Sequence, residues 1–444
     1  MKKHIIDYEC FLEVICLITL RQGDTGPQVQ LIQLALTRAG FPPRGGTDGI
    51  FGSGTAEALR SFQRSVSLVP DAVAGPLTWN ALNKWLLGYT AVTIRSGDTM
   101  YKIARRFGTD VSSVMTANPN ADPLNLRIGS NLTVPYGFDV VPDSIAFTST
   151  LLYLCIRGLK ARYPFITVRS AGKSVIGHDL TVITVGDSDK QLFLNASHHA
   201  NEWITSLFAM KFLENYLKSI STGSLIGGFN ALRLYSSVSY VCLPMVNPDG
   251  VDLVTGELGA DSFYYQNALS LNKRGLPFPS GWKANIKGID LNLQYPAGWE
   301  TARRIKFAQG YTSPGPRDYV GPAPLTAPES RAVYDFTLAN NFRMTLSYHT
   351  VGEVIYWKYN GFEPVNSRQY GEYFASVSGY DLELTPDESG YAGYKDWFIQ
   401  DYNRPGYTIE AGTGSSPVPL SQLPRIIDAN TPLVAAALNF VSGQ

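Results

Sequence analysis

The strongest constraint on the fold is a series of short apolar runs, each with the length of a β-strand, in the C-terminal part of the chain. The runs are LTVITVG (180–186), QLFLNAS (191–197), SVSYVCLPMV (237–246), RMTLSYH (343–349), EVIYW (353–357) and GYTIEAG (406–412). Helical segments alternate with them, namely WITSLFAMKFLENYLKSI (203–220), SRQYGEYFASVSG (367–379) and the run after Pro424. Because several runs are almost continuously apolar, we expect a sheet buried on both faces. The alternation predicts one α/β domain over residues 140–444.

Because 444 residues are too many for one ordinary core, we expect more than one domain. A small helical unit is predicted at residues 21–86. QVQLIQLALTRAG (28–40) and TAEALRSFQRSV (55–66) have helical patterns. The glycine-rich stretch GGTDGIFGSG (45–54) between them predicts tight turns.

A small α+β unit is predicted at residues 90–136. A strand comes first, SGDT leads into the helix YKIARRFG, a short second helix follows, and NLTVP closes the unit as a strand. GFDVVPDS (137–144) is predicted to be a linker, and residues 1–20 form an N-terminal segment of uncertain structure.

Both small units resemble families that bind bacterial cell walls. Residues 21–86 resemble the peptidoglycan-binding domain type 1, through GDTGPQVQLIQLAL, TDGIFGSGTAEALRSFQ and AGPLTWNAL. Residues 90–136 are similar to the LysM domain along their whole length. The resemblance implies that peptidoglycan glycan and stem peptides are the partners. A helical packing module without a ligand is the alternative for the first unit.

The composition and the charge of the chain argue against other classes of partner. The 37 basic and 37 acidic residues balance, so no nucleic acid partner is expected. No membrane span is expected either, and we expect a monomer with four free cysteines, Cys10, Cys16, Cys155 and Cys242. Acidic residues interrupt the N-terminal apolar stretch and no small-residue cleavage site follows, so a conventional secretion signal is not expected.

HHANEW (198–203) follows an apolar run and holds two of the five histidines. Glu202 lies three residues after His199 and four after His198, so the register of a metal-binding pair is ambiguous. His349 closes another run, and functional groups gather at strand ends in open α/β sheets. Catalytic zinc commonly takes two histidines and one glutamate. Hydrogen-bonded polar groups at a strand end are the alternative interpretation.

A set of segments in the same order and spacing resembles the zinc carboxypeptidase family of metallopeptidases. With HHANEW, the segments are PMVNPDG (244–250), GWKANIKGIDLNLQYPAGW (281–299), LSYHT (346–350), YKDWF (394–398) and TIEAG (408–412). The resemblance implies a mixed sheet flanked by helices, with His199, Glu202 and His349 as ligands of Zn²⁺. It also implies that Glu410 is the general base and that His198 is not a ligand.

The sequence departs from the family at its cationic positions. Lys283 replaces an arginine that steadies the oxyanion, and it keeps the charge but loses the bidentate geometry. Leu293 replaces the arginine that clamps the C-terminal carboxylate of a substrate, whereas Asn292 beside it is retained and is expected to contact substrate. Asn201 stands where many digestive relatives carry arginine. Ordinary carboxypeptidase activity is therefore not favoured.

Two further residues are expected to bind substrate. Lys395 occupies the position that shapes the family's specificity pocket, where it would attract an extra carboxylate such as that of diaminopimelate, and a solvated surface lysine is the alternative. The family's mobile tyrosine has no unambiguous match. Tyr391 and Tyr394 lie nearby, but a strict count reaches Glu388. We take Tyr391 as the candidate.

The combined resemblance implies a bacterial peptidase that cleaves the γ-D-glutamyl-meso-diaminopimelate bond of peptidoglycan stem peptides. A broad metallocarboxypeptidase and a non-catalytic wall-binding protein are the alternatives. The expected location is the cell wall or the spore, reached by a non-standard export route or after cell lysis.

Overall fold

The computed structural model describes residues 19–443. The first eighteen residues, which carry most of the uncertain N-terminal segment with Cys10 and Cys16, lie outside the described residues. The chain divides into two compact units, Met1–Ala146 with Thr150–Phe165, and Phe147–Ser149 with Ile166–Gln444. No helix within residues 19–443 is long and apolar enough to cross a membrane.

The first unit contains both predicted small modules. Its elements are α1 (Pro27–Arg38), α2 (Ser53–Ser65), α3 (Pro76–Leu87), β1 (Tyr89–Thr93), α4 (Met100–Arg106), α5 (Val111–Ala117), β2 (Asn131–Pro135) and most of α6 (Ser149–Arg162). Buried Gln33 fixes the glycine-rich stretch, since its amide donates to Asp48 Oδ1 at 2.7 Å and accepts from Gly49 N at 2.8 Å. The strands β1 and β2 pair antiparallel, and α4 and α5 pack against them through an apolar core that includes Ile103 and Val114.

Helix α6 packs within the first unit, although it follows the predicted start of the α/β domain at residue 140. Gly158 permits the close approach, because a Cβ there would lie 2.3 Å from the carbonyl oxygen of Leu87. Arg162, at the end of α6, donates to the carbonyls of Gly88 and Tyr136 at 2.5 and 3.1 Å. These polar bonds cannot be read from the apolar pattern of the helix.

The second unit is a mixed sheet flanked by helices, as predicted. Its elements are β3 (Thr167–Lys173), β4 (Asp179–Val185), β5 (Gln191–Ala196), α7 (Ile204–Thr222), β6 (Leu225–Ile226), β7 (Phe229–Asn230), α8 (Ala231–Ser237), β8 (Ser239–Leu243), α9 (Pro248–Thr255), α10 (Phe263–Leu271), α11 (Trp299–Ala308), α12 (Pro328–Leu338), β9 (Phe342–His349), β10 (Val354–Tyr356), α13 (Ser367–Ser378), β11 (Asp381–Glu383), α14 (Tyr394–Tyr402), β12 (Gly406–Glu410) and α15 (Leu423–Ser442). Three-residue 3₁₀ turns occur at Ala200–Glu202, Leu291–Leu293 and Leu420–Gln422.

The eight-stranded sheet has the order β11-β10-β12-β9-β5-β8-β4-β3. The neighbours β12, β9, β5 and β8 run parallel, whereas β10, β4 and β3 join antiparallel neighbours. All six predicted runs form strands of this sheet, and β3 and β11 at its edges were not predicted. Parallel β5, β9 and β12 end at the same edge, where Glu410 pairs with His349 in register.

Cys242 is free, as expected for it, and buried. Cys155 is also buried, with its Sγ 3.7 Å from the carbonyl oxygen of Val140. The pKa of the Cys242 thiol is raised by burial to about 12, so it stays protonated at neutral pH. It therefore behaves as a small apolar side chain of the sheet.

Candidate active site

Three side chains converge where β5 and β9 end. His199 and Glu202 lie on the short turn after β5, and His349 is the last residue of β9. Glu202 Oε1 lies 2.9 Å from His199 Nδ1, and Glu202 Oε2 lies 2.9 Å from His349 Nδ1. One ligand atom from each residue lies within 4.8 Å of the others, and all three side chains are buried. This cluster resolves the register of HHANEW in favour of His199.

Asp290 fixes the orientation of the first histidine. Its Oδ1 lies 3.1 Å from His199 Nε2, where it accepts the Nε2–H hydrogen. Nδ1 of the same ring therefore points to Glu202. Asp290 also accepts from the backbone N–H groups of Asn292 and Asp318, at 3.2 Å each. Although burial opposes the shift, His199 lowers the pKa of Asp290 strongly, so Asp290 remains an anion.

His198 is directed elsewhere. Its Nε2 lies 2.9 Å from the hydroxyl of Tyr295, and the side chain is fully buried. Burial, with a smaller effect of His349, lowers its pKa well below the ordinary value. His198 is thus a neutral residue of the core behind the site.

Glu410, at the end of β12, lines the same cavity of about 130 Å³ as the three converging side chains. Burial, and then the charge of Glu202, raises the pKa of Glu410 to about 8. Two buried carboxylates that lack enough positive charge around them favour the binding of a cation. A bound cation lowers the pKa of nearby acids. The carboxylate form of Glu410 is the one that accepts a proton.

The predicted cation Lys283 also lines the cavity and is half-buried. Burial opposes the shift, but the charges of Asp290 and Glu202 raise the pKa of Lys283. It is therefore positively charged at neutral pH. Its backbone carbonyl accepts from the N–H of Ala200, which ties the segment to the turn that carries the ligand pair.

Asn292 and Leu293 lie side by side at the cavity wall. Asn292 Nδ2 lies 3.5 Å from His349 Nε2, and its Oδ1 accepts from the N–H of Tyr394 at 3.0 Å. Leu293 is buried in an apolar cluster that includes Trp299 and Val320. A leucine in these surroundings provides no positive charge for a carboxylate.

Lys395 lines the cavity and is only 4% exposed, so the alternative of a solvated surface lysine does not hold. Its Nζ lies 2.7 Å from Asp396 Oδ1 and donates to the carbonyl of Lys358 and to Thr385 Oγ1, at 2.8 and 3.1 Å. These contacts fix the ammonium group in the cavity wall.

Tyr391 does not line the cavity of the metal-binding cluster. It lines a neighbouring cavity with Tyr359 and Asp387, and its ring packs 6.4 Å from that of Tyr359. Tyr394 is fully buried and its hydroxyl lies 3.0 Å from Thr337 Oγ1, which excludes it as a mobile residue. Asn201 is buried and lies outside the cavity lining.

Sequence reasoning missed several residues of the cavity wall, namely Asp290, Lys306, Asp318, Tyr356, Thr385 and Asp396. Asp290 has the role of a common partner for the second ring nitrogen of a ligand histidine, but it lies 91 positions from His199, so only the fold brings the two together. Asp318 carried no signal in the sequence. It lies in an irregular segment and joins the site through an ion pair with Lys306 at 2.9 Å.

The donor set fits zinc. Two imidazole nitrogens and one carboxylate are the protein ligands that catalytic zinc takes in many hydrolases, with a further position for water. His199, Glu202 and His349 would hold the ion, and Asp290 supplies the outer hydrogen bond that such a histidine usually has.

Comparisons with known proteins agree with this chemistry. Residues 152–431 match the family described as zinc carboxypeptidase. Gamma-D-glutamyl-L-diamino acid endopeptidase 1 of Lysinibacillus sphaericus is 43% identical over 271 residues, which cover 61% of this chain and 67% of that protein. The uncharacterized protein YqgT of Bacillus subtilis is 39% identical over 280 residues, covering 63% of this chain and 73% of that protein.

The structural comparison supports the fold alone. The crystal structure of thrombin activatable fibrinolysis inhibitor aligns with a TM-score of 0.50 and 18% identity, over 67% of this chain and 77% of that chain.

The N-terminal modules match known families as well. Residues 25–82 match a putative peptidoglycan binding domain and residues 92–135 match the LysM domain. These matches indicate that the protein binds peptidoglycan and associates with the cell wall. The match over residues 152–431 spans more than half of the chain and contains His199, Glu202, His349 and Glu410, so the chain belongs to the zinc carboxypeptidase family and is a zinc metallopeptidase.

Proposed function

We propose that the protein hydrolyses the γ-D-glutamyl-meso-diaminopimelate bond of peptidoglycan stem peptides. The observation that carries the proposal is the position of the positive charges in the cavity wall. Leu293 stands in an apolar cluster, whereas Lys395 places a buried ammonium group in the wall. No arginine belongs to the cavity lining in the described part of the chain. The name of the Lysinibacillus sphaericus relative supports the same substrate class.

The residues have distinct roles in the proposed reaction. Zinc held by His199, Glu202 and His349 would polarise the scissile carbonyl and make a bound water more acidic. Glu410 takes the proton from the attacking water and delivers it to the leaving amine. Lys283 steadies the negative charge that develops on the carbonyl oxygen. Asn292, held by the N–H of Tyr394, presents its amide to the substrate.

Lys395 is proposed to select the leaving side of the substrate. Diaminopimelate carries a carboxylate on its side chain that lysine lacks. The three N–H groups of Lys395 are held by Asp396, Lys358 and Thr385, so its positive charge would attract that carboxylate at longer range. The wall-binding modules would raise the local concentration of stem peptides by tethering. We propose action at the cell wall or the spore, reached by a non-standard route or after lysis.

The test is digestion of muropeptides by the full chain with zinc, with fragments identified by mass spectrometry. We expect a new N-terminus at diaminopimelate and a free γ-carboxyl on D-glutamate. Matched stem peptides with lysine in place of diaminopimelate should be cleaved more slowly, and Glu410→Gln should cleave neither. An intact γ-D-glutamyl bond, or release of C-terminal residues from ordinary peptides instead, would contradict the proposal.

A further inference from the structure

A second cavity, of about 510 Å³, lies within the first unit. Both N-terminal modules contribute to it. Lys84 and Trp85 come from α3, and Arg106 and Phe107 come from the end of α4. Tyr136 and Phe138, in the segment that follows β2, complete the wall. We call this the junction cavity. It contains no residue of the metallopeptidase site.

Three rings stack on one another in the junction cavity, and we call this stack the aromatic platform. Trp85 and Tyr136 stack with centroids 4.5 Å apart and planes 18° apart. Tyr136 and Phe138 stack at 5.6 Å and 10°. Trp85 and Phe138 are partly exposed. The electron-rich faces of such rings attract partly positive C–H groups, which a pyranose sugar presents on its flat sides.

Two arginines hold the platform in place. Arg38 donates to the carbonyls of Trp85 and Asp139, at 3.2 and 2.7 Å. Arg162 donates to the carbonyls of Phe138 and Tyr136, at 2.8 and 3.1 Å. The segment after β2, predicted to be a linker, is thus fixed at its start. A surface that is ordered before binding loses little conformational entropy when a ligand binds.

The rim of the junction cavity is cationic. Lys84 and Arg106 are exposed, with Lys84 Nζ 5.5 Å from the Trp85 ring and Arg106 Cζ 5.0 Å from the Phe107 ring. Neither residue forms an ion pair with any residue from 19 to 443. Both charges are therefore available to an anionic group beside a stacked sugar.

We propose that the junction cavity binds peptidoglycan, with an N-acetylated sugar on the aromatic platform and a carboxylate of its peptide substituent against Lys84 and Arg106. The proposal rests on the wall-directed function above. It goes further, because it assigns one binding site that both modules build together. The rings would contact the sugar, and the two cations would contact the carboxylate of the peptide. A glycan without peptides would therefore lack the contacts with the cations.

The test measures binding of the full chain to purified sacculi freed of other wall polymers. The chain carries Glu410→Gln so that the peptides persist. We expect Lys84→Glu and Arg106→Glu to weaken binding by about fivefold to tenfold each, the size of one charged contact at a partly exposed site. Trp85→Ala should weaken it as well. Arg105→Glu is the matched control, because Arg105 is exposed on the same helix and lies outside the junction cavity.

A second substrate separates the two parts of the site. On glycan strands stripped of peptides, the two charge reversals should lose their effect while Trp85→Ala keeps its own. Binding of Lys84→Glu and Arg106→Glu to sacculi at the level of Arg105→Glu would overturn the proposal. Both residues are exposed, so we expect the variants to fold. Hydrolysis of soluble stem peptides, measured without the Glu410 change, reports separately on the proposed function.

Discussion

Replacing Asp290 by asparagine removes one negative charge and alters three hydrogen bonds without changing the shape of the side chain. Asp290 Oδ1 accepts from His199 Nε2 and the N–H of Asn292, and Oδ2 accepts from the N–H of Asp318. An amide has only one acceptor oxygen. In either orientation of the amide, its NH₂ group therefore faces at least one N–H donor.

The magnitude follows from these contacts. A buried donor that loses its acceptor costs roughly 1–3 kcal/mol. Loss of a carboxylate partner behind a ligand histidine lowers metal affinity by about 10- to 100-fold. The first figure is a loss of stability of the folded protein, whereas the second, at about 1.4 kcal/mol for each factor of ten, is a loss of zinc affinity. We expect Asp290→Asn to weaken zinc binding by about 10- to 100-fold.

Competition with a chromophoric chelator at fixed pH measures this affinity directly. Asp318→Asn is the matched control, because Asp318 lines the same cavity but its carboxylate contacts Lys306 and Arg317 instead of a ligand. Equal zinc affinity in Asp290→Asn and the unchanged protein would refute the proposed role of Asp290 in orienting His199. An equal loss in both variants would show that net charge in the cavity, and not orientation, controls zinc affinity.

Three further predictions follow from the described contacts. Glu410→Gln should lower kcat by about 10²- to 10⁴-fold. Its zinc content, measured by elemental analysis, should stay unchanged, and retained turnover would exclude Glu410 as the base. Lys395→Met should lower the free energy of unfolding in urea by about 3–5 kcal/mol, since it leaves Asp396 buried without its partner, and adding Asp396→Asn should recover part of the loss. Burial raises the pKa of Glu329 from 4.5 to about 7, so its protonated form is favoured in the folded state. The stability from this group is therefore full below pH 4.5 and falls by about 3 kcal/mol as pH rises through 7, and unfolding of Glu329→Gln should lack this pH-dependent difference.

Much of the fold and the metal cluster was predictable because the strands that carry the site are apolar and regular. His199 and His349 stand at the ends of such strands, so their order along the chain and the parallel topology bring them together. The edge strands β3 and β11 were missed because they are polar and half-exposed, which removes the apolar signal.

The rest of the site depends on contacts that a linear pattern does not contain. The burial of Lys395 requires Asp396, Thr385 and the carbonyl of Lys358, which only the folded chain assembles. Tyr391 is near the site in sequence, yet it lines a different cavity. A residue count cannot distinguish these outcomes, because loop geometry determines where each side chain points.

The long separation between the two ligand strands links metal uptake to the maturation of the protein. His349 Nδ1 lies 2.9 Å from Glu202 Oε2, although 147 positions separate the two residues. A nascent chain that has emerged only through β8 holds two of the three ligands, and pairing of β5 with β9 must precede tight metal binding. Zinc then stabilises the native state alone, by an amount that grows with the logarithm of its free concentration. The zinc supply of the compartment in which synthesis ends would thus set the fraction of chains that mature into active enzyme.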